Sequence, residues 1–370
     1  MRAFISSLLA GVVLAGASGA AALVRQAPAG GPVPAGTSAT SVTFVSTQEA
    51  FVLGTAPCAH HPCSVILRTL DRGRSWVGLP APLQGVSPVG GSGLWGLRFA
   101  DPQRGYAYGN GIWRTLDGAS SWQRWSIPGR DVIDFAAVGD RRLIAVTTPC
   151  SPNSGGCVHR LTLYDRPIAG GVWRAMAHSG GNVFNDSISV HGRVVWVLLG
   201  RRLMVSTDGG RTFRVHPQPC ASSVAGLPQP TSISDGGATT FLLCTGQGFT
   251  SHTIKFIYRT HGTSGHWTQV GQAPTPGDAG VLAAAGSGRL VIATASAASW
   301  LYRSTDGGRH WRTPLSYPDG GEGWADLGFT SSSDGVVIHG PARTDGGSAS
   351  FPGRLLLTDD AGHTWRLIAF

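Results

Sequence analysis

Glutamate and lysine are almost missing from this chain of 370 residues, in which Glu49 and Glu322 are the only glutamates and Lys255 is the only lysine. So few glutamates leave little room for catalysis built on a Glu-containing pair, and the positive charge has to come from arginine. Apolar residues at helical spacing are absent over any long stretch, which excludes a helical bundle and an α/β layer fold. No Gly-x-Ser-x-Gly element is present, so the sequence offers no nucleophile elbow. Histidines are scattered singly except in Cys58-Ala-His60-His61-Pro-Cys63. Four metal ligands so close in sequence would struggle to surround one ion, and a disulfide-closed loop is the simpler reading. We expect no metal and no cofactor.

What the chain has in quantity is turn residues, 54 glycines and 23 prolines, as suits an all-β protein. One turn recurs. Ser304-Thr-Asp306-Gly-Gly308-Arg-His-Trp311 is matched by Thr69 to Trp76, Ser206 to Phe213 and Thr358 to Trp365, and by Thr115 to Trp122 with Ala119 in place of the second glycine. The pattern reads as a hairpin connection. Asp folds its carboxylate onto backbone N–H groups, Gly takes positive φ, and the closing aromatic packs inward. Asp71, Asp117, Asp208, Asp306 and Asp360 are separated by 46, 91, 98 and 54 residues. The two long gaps therefore predict two eroded copies, placed at Asp165 to Trp173 and at Thr260 to Trp267, with Gly262 at the aspartate position. Seven units with a period of about 48 residues fall in the range of propeller blades.

These boxes resemble the BNR or Asp-box repeats of sialidases, sortilin-type receptors and photosystem II assembly and stability factors, within the wider WD40/YVTN/BNR-like group. The resemblance covers about residues 41–370. Upstream segments such as Phe99 to Gly109 and Phe329 to Gly340 are most similar to the assembly-factor branch. It implies an all-β, seven-bladed β-propeller of four-stranded antiparallel blades. The box specifies a fold and leaves activity open.

Upstream of the repeat, Met1-Arg2 precedes an uncharged stretch ending in small residues, read as a signal peptide over residues 1–22, or an uncleaved anchor if it is retained. Residues 23–40 are read as a flexible leader. The folded part is therefore expected outside the cytoplasm, secreted or associated with the cell envelope. In that setting six cysteines form three local pairs, Cys58 with Cys63, Cys150 with Cys157 and Cys220 with Cys244. The net charge of +9 follows repeat positions rather than any nucleic-acid module. It reads as a solvated arginine rim, with attraction to anionic polymers as the sharper alternative.

Parsing each unit into strands a to d puts the a–b and c–d turns on one rim of the ring and the b–c loops and blade links on the other. Nearly all long loops fall on that second rim, where binding is usually built. Trp95, Arg130, Asp131, Asn185, Asp186, Glu322 and Trp324 are the expected exposed cluster at the mouth of the channel. For the two tryptophans, packing between blades is the competing role. A sialidase-type glycoside hydrolase would need an arginine cluster, a Tyr–Glu nucleophile pair and an acidic Asp. What remains for that is Glu322 with Tyr317 nearby, plus Asp131, Arg130 and Asp186 at blade entrances, and the Arg-Ile-Pro signature is missing. The expectation is a non-catalytic monomer, possessing no catalytic residues, that binds a protein or an anionic cell-envelope polymer or glycan, with an assembly or stability role implied by the resemblance. No nucleic acid is expected, and a membrane only through the N-terminal segment.

Overall fold

The computed structural model describes residues 30–370, apart from 59–61, 88–90, 126, 128–130, 150–159, 181–185, 221–228, 279 and 341–351. Seven four-stranded sheets follow one another along the chain: blades 1 (Ser38–Leu79), 2 (Leu94–Arg124), 3 (Asp131–Gly180), 4 (Asp186–Val215), 5 (Gln229–Ala273), 6 (Val281–Tyr317) and 7 (Trp324–Leu367). In every blade the strands pair antiparallel in sequence order, from inner strand a to outer strand d. Each inner strand lies against the inner strands of both neighbours, and that of blade 7 lies against that of blade 1, so the ring closes. The sequence expectation of a seven-bladed propeller therefore holds.

Strand alternation builds the core. In blade 1, Phe51 and Leu53 point towards blade 2 while Val52 between them points towards blade 7. The same alternation around the ring gives seven apolar layers, one in each gap between blades. The closing aromatics Trp76, Trp122, Trp173, Phe213, Trp267, Trp311 and Trp365 each pack into one of those layers. No helix among the described residues is long and apolar enough to cross a membrane.

The box works as the residue types demand. In blade 6, Asp306 Oδ1 accepts the Arg309 and His310 N–H groups at 3.0 Å, and the Ser304 hydroxyl donates to it at 2.9 Å. That hydroxyl in turn accepts the Gly308 N–H at 2.8 Å. Blades 1, 4 and 7 repeat this scheme. Positive φ is not left to glycine alone, because Arg72 (62°), Ala119 (70°) and Ala361 (58°) also adopt it. The hydrogen bonds hold these residues in a conformation that costs a non-glycine residue roughly 1–2 kcal/mol.

Behind every box, one turn N–H donates to a carbonyl of the a–b turn of the same blade: Arg72 to Gln48, Gly118 to Gln103, Ile168 to Arg141, Gly209 to Arg193, Gly262 to Ala238, Gly307 to Gly288 and Ala361 to Ser333. This common bond confirms that both turns share one rim. In blade 5 the pairing of Arg259 with Thr268 matches that of Arg303 with Arg312 in blade 6, so Gly262 stands at the aspartate position. In blade 3 the matching pair is Asp165 with Arg174, which puts Ile168 at that position and corrects the placing of Asp165. Asp165 lies within a strand and pairs with Arg142 and, at 3.0 Å, Arg174.

A second set of bonds runs around the channel. Inner-strand side chains accept backbone N–H groups from the next blade: Ser41 from Leu97 (3.0 Å), Asp134 from Ile188 (3.0 Å), Ser189 from Asp235 (2.9 Å) and Ser232 from Leu282 (3.0 Å). Blade 7 joins blade 1 in the same way, with Asp326 Oδ2 accepting the Val42 N–H at 2.8 Å and the Ser41 hydroxyl. Arg98 of blade 2 donates to Asp326 Oδ1 at 3.0 Å. Backbone contact completes the closure where Ala39 N–H meets the Gly353 carbonyl at 2.9 Å.

Within the segment read as a leader, the structure places Gly31 in a reciprocal 2.9 Å pair with Gly78, on the outer strand of blade 1. Residues 1–22 lie outside the described residues. Disulfides join Cys58 to Cys63 and Cys220 to Cys244, while Cys150 and Cys157 lie outside the described residues.

Candidate functional site

On the rim opposite the boxes, the link from blade 6 to blade 7 meets the b–c corner of blade 7. His339 ends strand b and Arg354 begins strand c, and the two are direct register partners. Trp324, the first residue of strand a, pairs with His339 from the other side. The link supplies Asp319 and Glu322, and blade 6 supplies Ser299 and Tyr317, themselves register partners.

His339 is fully buried at the centre. Its Nε2 lies 2.5 Å from Asp319 Oδ2 and its Nδ1 lies 2.9 Å from Arg354 Nη2. A guanidinium only donates, so Nδ1 accepts and the ring proton sits on Nε2, donated to Asp319. Tyr317 stacks on the imidazole with centroids 4.3 Å apart, and Trp324 tilts against it at 4.6 Å. Arg354 lies over the Tyr317 ring at 5.2 Å and reaches Glu322 Oε2 at 3.4 Å. Asp319 Oδ1 accepts the Gly321 N–H at 2.9 Å and the Ser299 hydroxyl at 3.2 Å.

The electrostatics follow from these contacts. Burial, reinforced by the Arg354 charge, holds His339 below the usual imidazole range against the pull of Asp319 and Glu322. Burial raises Asp319, but the Gly321 N–H, Ser299 and His339 outweigh it and keep the carboxyl below its ordinary value. At neutral pH the cluster is therefore an ionised Asp, a neutral His and an Arg bridging to a Glu. Asp319 does not serve as a proton donor there, and both nitrogens of His339 are engaged. Oxygens of Asp319 and Glu322 and a nitrogen of His339 are close enough to share a cation. Taking one would break the Asp–His or the Arg–His bond, so the donors are satisfied among themselves.

The other expected site residues divide between separate places. Trp95 is buried, and its indole donates to the Val132 carbonyl at 3.0 Å in the joint between blades 2 and 3. Trp324 likewise donates to the Thr294 carbonyl at 3.0 Å. Both tryptophans are thus packed in joints. Asp131 is buried, takes the Asn110 amide at 2.7 Å and is pushed up by burial. Asp186 is buried at the start of blade 4. Arg130 and Asn185 lie outside the described residues. Of the expected cluster, the structure brings Glu322 and Trp324 together, and Trp95 with the neighbourhood of Asp131. Sequence reading missed His339, Asp319 and Arg354, although their placement beside a long b–c loop was the available signal.

It also missed a groove on the box rim, between blades 3 and 4. Arg142, Arg174, Arg193 and Arg211 line about 610 Å³ there, with Asp165 beneath and Val172 80% exposed at its edge. The groove opens where blade 3 has lost its box. Asp165, nearly fully buried, braces Arg142 and Arg174, while Asp208 is occupied by its own turn.

No family model matches the chain, so the Asp-box resemblance rests on the residues and on the turn geometry. A xyloglucanase from a Paenibacillus species is 26% identical over 266 residues, which is 66% of this chain and 23% of that protein. The chain thus spans less than a quarter of that relative. Among solved structures, YCF48 bound to a D1 peptide superposes with a TM-score of 0.55 at 15% identity, covering 82% of this chain and 92% of that one. YCF48 from Cyanidioschyzon merolae gives 0.53 at 16%, covering 90% and 98%. An oligogalacturonate lyase from Vibrio parahaemolyticus gives 0.56 at 11%, covering 88% and 92%. At these identities the structural matches establish the propeller and nothing narrower.

Proposed function

We propose that this chain is an extracytoplasmic, non-catalytic propeller that binds a protein or an anionic cell-envelope polymer. The observation that carries this reading is the closed network around His339. Every carboxylate in it is held ionised or tied to Arg354, which suits a rigid recognition surface and not an acid catalyst. The arginine-lined groove supports an anionic ligand, and the YCF48 structure with its D1 peptide lends support to a protein one. Two disulfides suit an oxidising compartment. A monomer remains our reading of the assembly.

The xyloglucanase relative favours a second reading, glycoside hydrolysis. A retaining enzyme needs one carboxyl raised enough to protonate the leaving oxygen. Asp319 is shifted the other way, and Asp131, which burial does push up, sits at the start of blade 3 and not with Asp319 and Glu322. Purified protein should therefore release nothing from xyloglucan or aryl glycosides between acidic and neutral pH. Turnover that disappears in Glu322→Gln would overturn the non-catalytic reading. In parallel, affinity capture from the native envelope should retain a partner. Arg193→Glu with Arg211→Glu should weaken retention of a polyanion such as teichoic acid, and unchanged retention would remove the groove from the account.

A further inference from the structure

Lys255, the chain's sole lysine, is completely buried. Its ammonium does not meet a carboxylate directly. It lies among five backbone carbonyls: Thr253 at 3.1 Å, Pro274 at 3.3 Å, Thr275 at 2.9 Å, Pro276 at 3.3 Å and Gly277 at 2.6 Å. Four of the five come from the consecutive residues 274–277 in the link between blades 5 and 6, so the chain wraps around the charge. Other bonds hold the wrap in place. The Gly277 N–H donates to the Ser251 carbonyl at 3.0 Å, the Thr253 N–H to the Thr275 carbonyl at 2.9 Å, and Tyr302 and Thr294 of blade 6 both donate to the Pro276 carbonyl. Asp278 supplies a nearby counter-charge and accepts the Thr253 hydroxyl at 3.3 Å.

An ammonium has three N–H groups for these five oxygens, so the cage offers more acceptors than the lysine has donors. Five convergent carbonyl dipoles replacing a hydration shell are the arrangement that binds a bare monovalent cation. The oxygens stand 2.6–3.3 Å from the charge. All five exceed the roughly 2.0–2.1 Å of magnesium, and all but that of Gly277 exceed the roughly 2.3–2.6 Å of calcium. Glycine at 277 lets the wrap turn, since its φ is 83° and a Cβ would stand 2.3 Å from the Thr294 hydroxyl.

We propose that residues 253 and 274–277 form a monovalent-cation site which the chain fills with its own Lys255 ammonium, and that deleting this side chain leaves a site selective for potassium- or ammonium-sized ions. The tethered charge thereby ties the blade 5–6 link together on the loop rim without drawing an ion from solution.

The test compares the full chain with Lys255→Ala by melting in choline chloride, replaced stepwise at constant ionic strength by potassium, ammonium or sodium chloride. The wild type should melt alike in all four salts. The variant should melt lower in choline and recover by several degrees in potassium and ammonium, with sodium less effective. A variant that melts alike in all four salts, or that stays unfolded in every one, contradicts the proposal, as does a potassium shift of equal size in the wild type. A second measurement needs no variant. An amine-reactive ester should leave Lys255 unmodified in the native chain and modify it after unfolding, and rapid native labelling would overturn the closed cage.

Discussion

The two rims of this ring are made of the same strands and differ in almost everything else. On the box rim one solution is used again and again. A carboxylate gathers the N–H groups of its own turn, and a second bond ties that turn to its neighbour in all seven blades. The loop rim holds features that occur once: the His339 network at the 6–7 joint, the Lys255 cage at the 5–6 link, and a disulfide between Cys58 and Cys63. Repetition marks what the ring needs in order to stand, and departure from it marks where particular chemistry is placed. The arginine groove fits the same lesson from the other side, because it opens where blade 3 has lost its box.

That comparison can be sharpened first at the channel, where Asp326 makes the closing joint an instance of the repeated kind. Its side chain is 16% exposed and that of its partner Arg98 26%. Removing one member of a largely buried pair leaves the other uncompensated, so Asp326→Ala should cost about 3 kcal/mol, the lower end for buried pairs. Denaturant unfolding measures it, and a loss below about 1 kcal/mol would mean that closure rests on the blade 7–1 apolar layer and the Ala39–Gly353 bond.

The next effect is the share of the acid sensitivity that comes from the boxes. Hydrogen bonds from Ser75, Thr69 and the Arg74 and Ser75 N–H groups hold Asp71 at about 2. Asp360 is held at about 2, where burial is outweighed by bonds from Thr364, Thr358 and the His363 N–H. Unfolded aspartate titrates near roughly 3.9. A lowered carboxyl contributes stability that is present above the unfolded value and lost as pH falls through the folded one. Stability should thus fall between about pH 4 and pH 2, and Asp71→Ala should show a shallower decline over that window. Equal slopes for variant and wild type would separate the boxes from acid stability.

The smallest expected change is at Gly262, where the turn is present but the carboxylate is not. Its φ is 53° and a Cβ would meet nothing within 4 Å, so the positive φ is the whole cost of a side chain there. Gly262→Ala should therefore cost about 1–2 kcal/mol, the ordinary penalty of positive φ for a residue with a Cβ. A larger loss, measured by thermal unfolding, would show that this turn is not equivalent to the others.

The fold was legible because the box is local. Its turn chemistry, its closing aromatic and the spacing of its aspartates lie within a few residues of each other, so Asp71, Asp117, Asp208, Asp306 and Asp360 could be placed without any long-range contact. The eroded units were located and Gly262 was aligned, but the alignment slipped at Asp165, because what places blade 3 is a strand register that leaves no side-chain trace. The site was less legible for the same reason. His339, Asp319 and Arg354 meet across two blades, and Lys255 is caged by carbonyls that any sequence would supply. Trp95 and Trp324 drew attention as large aromatics at strand starts, and their indoles turn out to be bonded into blade joints.

The claim that repetition marks structure and departure from it marks recognition is tested most directly by one paired measurement, melting together with envelope capture, on Asp306→Ala and Glu322→Ala. Loss of Asp306 strands the Arg309 and His310 N–H groups, so that variant should lose about 1–3 kcal/mol of stability and retain its partner. Glu322→Ala strands Arg354, which is 41% exposed and can turn to water, so this variant should melt only modestly lower than wild type and capture less. A box variant that melts normally but no longer captures would contradict the account, because an intact repeated turn, and not a departure from the repeat, would then carry binding.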